Sequence, residues 1–378
     1  MLFRSVVKAK DLASLIGMII SFSPFVGNVL RIMTRSLYHV LNGRSSWNSN
    51  VQLTDEAIRE IRFWKLNARS LNGRAAWPTE SKPSKIVYSD ASDYACSSFV
   101  ENEGQIFQQN WSADERKKSS TWRELKAVQL AISSFAHDLK GQQVAWFTDN
   151  QNVVSIVNSG SRVEQLQSLA LAIFASCATN GISLEMKWIP RDLNTVADCL
   201  SRIIDFDDYA LNDDLFRMLD VRWGPHSVDR FACNYNTKLA RFNSRFYQPG
   251  TEAVDAFTQD WKYENNWLVP PVSLIVRVIN HLKLCKAEGS IVVPVWKSSY
   301  FWTVLSQDGR HWSPFVHDWL LLPDHKCIFV RGKAKNRLFG ARNLCFKVAA
   351  LRVKFNVSER LCSSGFCTED DGWCDKCS

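Results

Sequence analysis

The stretch Ile86-Val87-Tyr88-Ser89-Asp90-Ala91-Ser92 is a short apolar β run that carries one carboxylate, Asp90, at its end and small residues after it. Three acidic positions farther along the chain accompany it. They are Glu124 in Thr121-Trp122-Arg123-Glu124-Leu125-Lys126-Ala127, Asp149 in Trp146-Phe147-Thr148-Asp149-Asn150, and Asp198 in Asn194-Thr195-Val196-Ala197-Asp198-Cys199. The patterns place Asp90 and Asp149 at strand ends and Glu124 and Asp198 in helices. We therefore expect the four carboxylates to converge.

Strand and helix signals alternate between residues 84 and 205. Strand patterns cover residues 86–90, 97–100, 105–109, 144–148 and 183–189, and helix patterns cover residues 120–137, 153–157, 166–178 and 194–202. The order β-β-β-α-β-α-α-β-α predicts an α/β domain in which helices flank a five-stranded mixed sheet.

The composition is that of a globular chain of two or three domains, with 378 residues of which 46% are hydrophobic. The net charge of +8 fits a polyanionic partner, although solvated lysines on any surface give the same excess. The eleven cysteines are an odd number, and seven of them are scattered without paired spacing. The N-terminus lacks the flanks and cleavage site of a secretory signal. An intracellular protein of the cytoplasm or nucleus, not a secreted one, is expected.

Residues 11–30 are apolar enough to raise the question of a membrane span. Polar residues and Pro24 interrupt the stretch, and charged residues bracket it closely, so two packed helices are predicted instead and no membrane is expected. The predicted inner face of the first helix consists of Leu15, Met18, Ile19 and Phe22. Another helix begins near Thr54 with a stripe of Ile58, Ile61 and Trp64, and a polar linker follows at residues 67–83.

The element order and the four acidic positions together resemble the ribonuclease H fold. The likeness to retroelement ribonucleases H is closest at Lys187-Trp188-Ile189-Pro190, which is followed by the Asn194-x-x-Ala197-Asp198 helix start. The resemblance implies a domain at residues 84–205 that cuts the RNA strand of RNA/DNA hybrids endonucleolytically. Asp90, Glu124, Asp149 and Asp198 would hold two Mg²⁺ or Mn²⁺ ions, because hard cations prefer carboxylate oxygens and can activate a water and stabilise a leaving oxygen.

Each acid also has a structural interpretation. Thr121 with Glu124, and Thr195 with Asp198, fit the spacing of a helix capping box. Asp90 and Asp149 could be turn residues that close strands. The four acids in the expected element types and order favour the catalytic interpretation.

The same resemblance implies residues that contact the hybrid. Ser92, Arg123, Asn150 and Asn194 are candidates for sensing the 2′-hydroxyls or holding phosphates. Many relatives carry a histidine in the loop before the last helix. Here that loop has Arg191 and no histidine, a departure that could slow turnover.

The preceding sequence resembles the end of a reverse transcriptase of the DIRS/Ngaro group, retrotransposons that use a tyrosine recombinase. The matching segments are Asp11-Leu12-Ala13-Ser14-Leu15-Ile16-Gly17, Met33-Thr34-Arg35-Ser36-Leu37-Tyr38 and Phe63-Trp64. No Tyr-x-Asp-Asp polymerase motif is present. Residues 1–80 are therefore predicted to be a helical thumb or connection remnant, which would need the missing fingers and palm of the same element as a partner.

The segment after residue 205 resembles Dam-type adenine methyltransferases of the same retroelement group. The likeness rests on Asp229-Arg230-Phe231-Ala232, Arg241-Phe242-Asn243-Ser244, Asp255-Ala256-Phe257, Trp261 and Pro270-Pro271. Active enzymes place Asn or Asp before the two prolines and an aromatic residue after them, where this chain has Val269 and Val272. Residues 206–320 are thus predicted to be a smaller, degenerate methyltransferase-like α/β domain without activity.

Residues 321–378 are predicted to be a tail that ends in a cysteine cluster. Its members are Cys362, Cys367, Cys374 and Cys377. Four thiolates could close a tetrahedral zinc site, and a reduced tail without metal is the alternative. For the whole chain, the leading hypothesis is a retrotransposon ribonuclease H. The alternatives are a non-catalytic nucleic-acid-binding remnant and a working adenine methyltransferase.

Overall fold

The N-terminal unit of the computed structural model is mainly helical. The structure describes residues 5–22, 29–71, 82–306, 308–323, 327–333, 338–339 and 344–355. The unit contains β1 (Val6–Lys8), α1 (Ala9–Ser21), α2 (Val29–Ile32), α3 (Arg35–Asn42), β2 (Asn50–Gln52) and α4 (Asp55–Leu71), with β1 and β2 paired antiparallel. No helix in the described part of the chain is long and apolar enough to cross a bilayer.

The inner face of α1 agrees with the predicted one at Leu15 and Ile19 and differs from it at Met18 and Phe22. Ala9, Leu12, Ile16 and Ile19 are buried, whereas Met18 and Phe22 are at least half exposed. The helix packs against α2 and α3 through the face that contains Leu12 and Ile16. Because several faces of this apolar helix could be buried, the pattern alone did not identify the correct one.

Helix α4 holds the N-terminal unit together through polar contacts as well as its predicted apolar stripe. Glu60, which is 2% exposed, accepts hydrogen bonds from the Ser36 and Leu37 backbone amides at 2.8 and 2.9 Å. These amides lie in the first turn of α3, where Thr34 provides no side-chain cap. Trp64 is buried and donates to the Met33 carbonyl at 2.7 Å. The carboxylate thus replaces the missing cap.

The predicted five-stranded mixed sheet is confirmed. Its strands are β3 (Lys85–Ala91), β4 (Ala95–Val100), β5 (Ile106–Asn110), β6 (Gln143–Thr148) and β7 (Ser183–Trp188), in the order β5-β4-β3-β6-β7. Its helices are α5 (Ser120–Ser134), α6 (Ala136–Leu139), α7 (Gln151–Ser159), α8 (Glu164–Asn180) and α9 (Thr195–Ser201). Strand β4 runs antiparallel to β3 and β5, and β6 runs parallel to β3 and β7. The ends of β3, β5 and β6 therefore share one edge.

A second α/β unit follows. Its main sheet has the order β14-β16-β13-β12-β9 and is built from β9 (Val228–Asp229), β12 (Asn265–Leu268), β13 (Glu288–Pro294), β14 (Val316–Leu321) and β16 (Val348–Lys354). Two smaller pairs are β8 (Tyr209–Leu211) with β15 (Phe329–Arg331) and β10 (Asn243–Ser244) with β11 (Ala253–Val254). The helices are α10 (Asp213–Trp223), α11 (Ile275–Cys285) and α12 (Trp302–Leu305).

This second sheet extends beyond the boundary predicted at residue 320. Strand β16 lies between β14 and β13, and β15 pairs with β8 near the start of the unit. Val348-Ala349-Ala350-Leu351 is a continuous apolar run of the kind that fills a central strand, so residues 321–378 are not only a tail. The four cysteines predicted to bind zinc lie outside the described residues.

Candidate active site

Three of the four predicted carboxylates meet at the shared edge of the first sheet. Asp90 is the penultimate residue of β3, and Asp149 directly follows the parallel neighbour β6. Glu124 reaches the same point from α5, which packs against β3 and β4. One ligand oxygen from each side chain lies within 4.8 Å of the other two. The two strands and the helix thus assemble an acidic cluster, defined here as Asp90, Glu124 and Asp149.

The acidic cluster is electrostatically unfavourable without a cation. Glu124 is buried, and its Oε2 has no hydrogen-bond partner among the described residues. Burial first, and then repulsion from Asp90 and Asp149, hold the pKa of Glu124 well above its ordinary value. Burial also raises the pKa of Asp90. A buried, unpaired carboxylate oxygen beside two other carboxylates is a donor set that suits Mg²⁺ or Mn²⁺.

Asp198 does not join the acidic cluster. It lies in α9, where its Oδ1 accepts from Arg202 at 2.8 Å and from Arg191 at 3.2 Å. The hydrogen bond from Arg202, foremost, lowers the pKa of Asp198. Its negative charge nevertheless contributes to raising the pKa of Asp90. Its predicted role as a metal ligand stays a prediction.

A set of hydrogen bonds ties α9 to the strands that carry the acids. Asn194 donates its side-chain amide to the Ser89 carbonyl at 3.0 Å, and Ser97 donates to the Ala197 carbonyl at 2.7 Å. On the other side, Trp188 donates its indole N–H to the Asp149 carbonyl at 3.0 Å. Trp188 is a site residue that the sequence pattern did not indicate. Its position at the end of β7, level with the end of the neighbouring strand β6, brings its indole within reach of Asp149.

The predicted hybrid-contacting residues fall in different surroundings. Ser92 and Asn150 are partly buried and organise turns: Ser92 donates to the Ser201 carbonyl at 2.6 Å, and Asn150 caps α7. Arg123 is buried and bound to Asp93 at 2.6 Å, and Asn194 is 1% exposed. Arg191 is exposed and paired with Asp198. Of the five, Arg191 is the side chain most open to a ligand, and the binding roles stay predictions.

The segment predicted to resemble a methyltransferase is apolar where adenine chemistry would need polar groups. Val269 is buried directly after β12, and the Pro270 carbonyl accepts a hydrogen bond from Tyr209 at 3.0 Å. The Tyr209 ring stacks on Phe339 with centroids 4.3 Å apart. The backbone acceptor beside the two prolines is therefore already used within the protein.

A family model described as reverse transcriptase-like matches residues 102–203. The matched range contains Glu124, Asp149 and Asp198, whereas Asp90 lies before it. No curated protein matches the chain.

Three solved structures with similarity to this chain are ribonucleases or reverse transcriptases. RNase H1 from the halophilic archaeon Halobacterium salinarum NRC-1 is 18% identical over 31% of this chain and 92% of its own, with a TM-score of 0.26. LC11-RNase H1 in complex with RNA/DNA hybrid is 16% identical over 31% of this chain and 92% of its own, with a TM-score of 0.26. The foamy viral protease-reverse transcriptase in complex with RNA/DNA hybrid is 16% identical over 54% of this chain and 28% of its own, with a TM-score of 0.23.

These TM-scores are low. The ribonuclease H-like fold is identified by the strand order and directions of the first sheet and by the helices that flank it. The chain thus contains a reverse transcriptase-like segment on a ribonuclease H-like sheet.

Proposed function

We propose that this chain is a metal-dependent ribonuclease H that cuts within the RNA strand of RNA/DNA hybrids and leaves 5′-phosphate and 3′-hydroxyl ends. The observation that carries the proposal is the acidic cluster, in which ligand oxygens of Asp90, Glu124 and Asp149 lie within 4.8 Å of one another. The buried Oε2 of Glu124, which lacks a partner among the described residues, supports it because a cation would satisfy that atom.

The acidic residues of the site lie where they could hold the metal ions that hydrolysis of a phosphodiester needs. Asp90, Glu124 and Asp149 would hold one divalent ion, and Asp198, whose charge acts on Asp90, would contribute to holding a second. Bound Mg²⁺ or Mn²⁺ supplies an activated water and relief of the charge on the leaving 3′-oxygen. Trp188 fixes the backbone of Asp149, and burial keeps Glu124 directed into the cluster.

The biological setting we infer is a DIRS-like retrotransposon polyprotein acting in reverse transcription. The match of residues 102–203 to a reverse transcriptase-like family supports a retroelement origin, and the DIRS type rests on the sequence resemblance alone. The N-terminal helices pack on the nuclease domain, where Gln167 donates to the Ile32 carbonyl at 2.9 Å. The polymerase fingers and palm would come from the same element.

The test is cleavage of an end-labelled RNA/DNA hybrid in Mg²⁺ by the parent chain and by Asp149→Asn. This change keeps the shape of the side chain and removes a charge that the cation needs, so cleavage should fall by at least 100-fold. Asp11→Asn is the matched control, because Asp11 is exposed in the first turn of α1, in the N-terminal unit. Asp11→Asn should cut like the parent.

Two alternatives have distinct outcomes. A folded parent chain that binds hybrid without cutting it would be a non-catalytic binding remnant, with the acids retained as a relic. A working methyltransferase would bind S-adenosylmethionine at micromolar concentrations. We expect no such binding, because residues 206–320 contain no glycine-rich loop for S-adenosylmethionine. We also expect no methyl transfer, because Val269 offers no polar acceptor for the amino group of adenine.

A further inference from the structure

A cleft of about 490 Å³ separates the nuclease domain from the second α/β unit. The nuclease side is formed by Ser112, Ala113 and Arg116, which lie shortly after the end of β5. The opposite side is formed by the start of α10, the loop of residues 235–238, and the end of β15 with the two residues after it. Because β5 ends at the same edge of the sheet as β3 and β6, the cleft opens beside the edge that carries the acidic cluster.

Positive charge predominates in this cleft. Four basic side chains line it, namely Arg116, Lys238, Arg331 and Lys333. Asp213 lines the cleft and pairs with Lys238, Glu115 pairs with Lys333, and buried Asp208 accepts from the Lys333 backbone. Ser112, Asn236 and Thr237 add neutral polar groups. This composition suits phosphate oxygens, which accept hydrogen bonds from lysine, arginine, hydroxyl and amide donors.

Hydrogen bonds to a buried carboxylate hold one wall of the cleft in place. Asp208, which is 4% exposed, accepts from the Tyr235 hydroxyl at 2.7 Å, from the Asn236 amide at 3.2 Å and from the Lys333 backbone N–H at 2.6 Å. At Gly332, a Cβ atom would lie 2.0 Å from Asp208 Oδ1, so only glycine fits at this position beside Asp208. The Lys333 side chain then extends across the cleft to Glu115 at 3.3 Å.

The cleft is connected to the acidic cluster through α5. Arg123 precedes Glu124 and donates to the Arg116 carbonyl at 3.4 Å and to Asp93 at 2.6 Å. Trp111, at the end of β5, donates to the Ser92 carbonyl at 3.0 Å. The segment that forms one wall of the cleft is therefore fixed relative to the strand that carries Asp90.

We propose that this interdomain cleft binds the phosphodiester backbone of the nucleic-acid strand that extends from the acidic cluster. The second α/β unit would then serve the nuclease as a substrate-holding surface, with Lys333 and Lys238 as the principal phosphate contacts. The inference rests on the proposed function for where the substrate lies. Lys333 would exchange its pairing with Glu115 for a phosphate when the strand is bound.

The test measures hybrid binding in the Asp149→Asn background, so that the substrate stays intact, by fluorescence anisotropy over a series of NaCl concentrations. Lys333→Gln and Lys238→Gln should each weaken binding severalfold and reduce the slope of log affinity against log salt by about one. Lys140→Gln is the matched control, because exposed Lys140 precedes β6 at the opposite edge of the sheet. It should leave both quantities unchanged.

Glu115→Gln separates a phosphate contact from a merely structural ion pair. This change removes the partner of Lys333 and keeps an acceptor for the Ser112 amide, which donates to Glu115 at 2.8 Å. If Lys333 binds phosphate, Glu115→Gln should bind hybrid as tightly as the parent or more tightly. If the pair only joins the domains, Glu115→Gln and Lys333→Gln will lower the melting temperature alike, with no change in the salt slope, and the inference is wrong.

Further measurements distinguish a backbone phosphate from a free phosphate ion as the ligand of the cleft. They also distinguish failure of the cleft inference from failure of the proposed function. If inorganic phosphate raises the melting temperature of the parent but not that of Lys333→Gln, while the two bind hybrid equally well, the cleft binds a free anion and the inference is overturned. A parent that binds hybrid with the expected salt slopes but never cuts it overturns the proposed function alone. A parent that cuts, while Lys333→Gln and Lys238→Gln bind as it does, overturns the cleft inference alone.

Discussion

The indole nitrogen of Trp188 donates a hydrogen bond to the backbone carbonyl of Asp149 at 3.0 Å. The two residues lie at the ends of adjacent parallel strands, with Thr148 opposite Trp188 in the register. The bond fixes the peptide that immediately follows β6 and thereby the direction in which the Asp149 carboxylate points. Trp188 is therefore a positioning residue for the acidic cluster.

Trp188→Phe should lower hybrid cleavage about fivefold, because a hydrogen bond of this kind contributes about 1 kcal/mol. The Mg²⁺ concentration that gives half-maximal cleavage should also rise, since Asp149 would be held less firmly. Trp47→Phe is the control: Trp47 is 53% exposed, close to the 46% of Trp188, and packs under Arg44 away from the cluster. An unchanged Mg²⁺ requirement in Trp188→Phe would show that the bond does not position Asp149.

Glu124→Gln should stabilise the metal-free chain by about 1–2 kcal/mol, because it removes a buried charge beside two like charges. Mg²⁺ should stabilise the two proteins unequally. At about one hundred times its Kd, the ion raises the free energy of unfolding of the parent by about 2.7 kcal/mol, and it should stabilise the variant much less.

Calorimetric melting with EDTA and with Mg²⁺ measures both effects. Exposed Glu164, in the first turn of α8, provides the control Glu164→Gln, which should retain the full response to Mg²⁺. A Glu124→Gln chain that gains as much stability from Mg²⁺ as the parent would exclude Glu124 as a ligand.

The nuclease sheet could be predicted from the sequence because its signals are local. The strands are short runs that are apolar or mix apolar with polar residues, and Asp90 and Asp149 end two runs that the strand order makes neighbours. Burial of Arg123 and pairing of Asp198 with Arg202 could not be predicted in this way. Both depend on which side chains tertiary packing brings within reach, and an arginine in a sequence is ordinarily read as exposed.

The second unit was less predictable for a related reason. Strand β16 pairs with β13 and β14 although it lies far from both along the chain, so no local turn signal indicates the pairing. In α1, apolar residues occur on more than one face, and only packing against α2 and α3 decides that Leu12 and Ile16 point inward. Long-range pairing and the choice between apolar faces are properties of the assembled core.

Glu60→Ala should destabilise the N-terminal unit by about 2–3 kcal/mol, because it leaves two amide donors at the start of α3 without an acceptor. Hydrogen exchange should accelerate first at Ser36 and Leu37. Glu56→Ala, one turn earlier on α4, removes only exposed contacts, chiefly those with Arg59 and Thr54, and should leave the stability nearly unchanged. Equal effects of the two changes would mean that Glu60 does not cap α3.

Asp229 should give the second α/β unit a distinctive dependence on pH. The side chain is 3% exposed, and burial raises its pKa to about 6 from an ordinary value of 3.8. The folded state therefore binds a proton more tightly than the unfolded state. The associated stability is fully present below about pH 4 and is lost as the pH rises through about 6, a change of roughly 3 kcal/mol at most.

Asp229→Asn removes this titration and can keep the stronger of two hydrogen bonds, the one from the Lys238 amide at 3.0 Å. The stability of Asp229→Asn relative to the parent should therefore increase between pH 4 and pH 7.5, as followed by urea unfolding. Because other titrating groups are common to both proteins, they cancel in the difference. A difference that stays constant with pH would mean that Asp229 remains ionised in the folded chain, held by the Lys238 and Phe231 amides more strongly than its burial opposes.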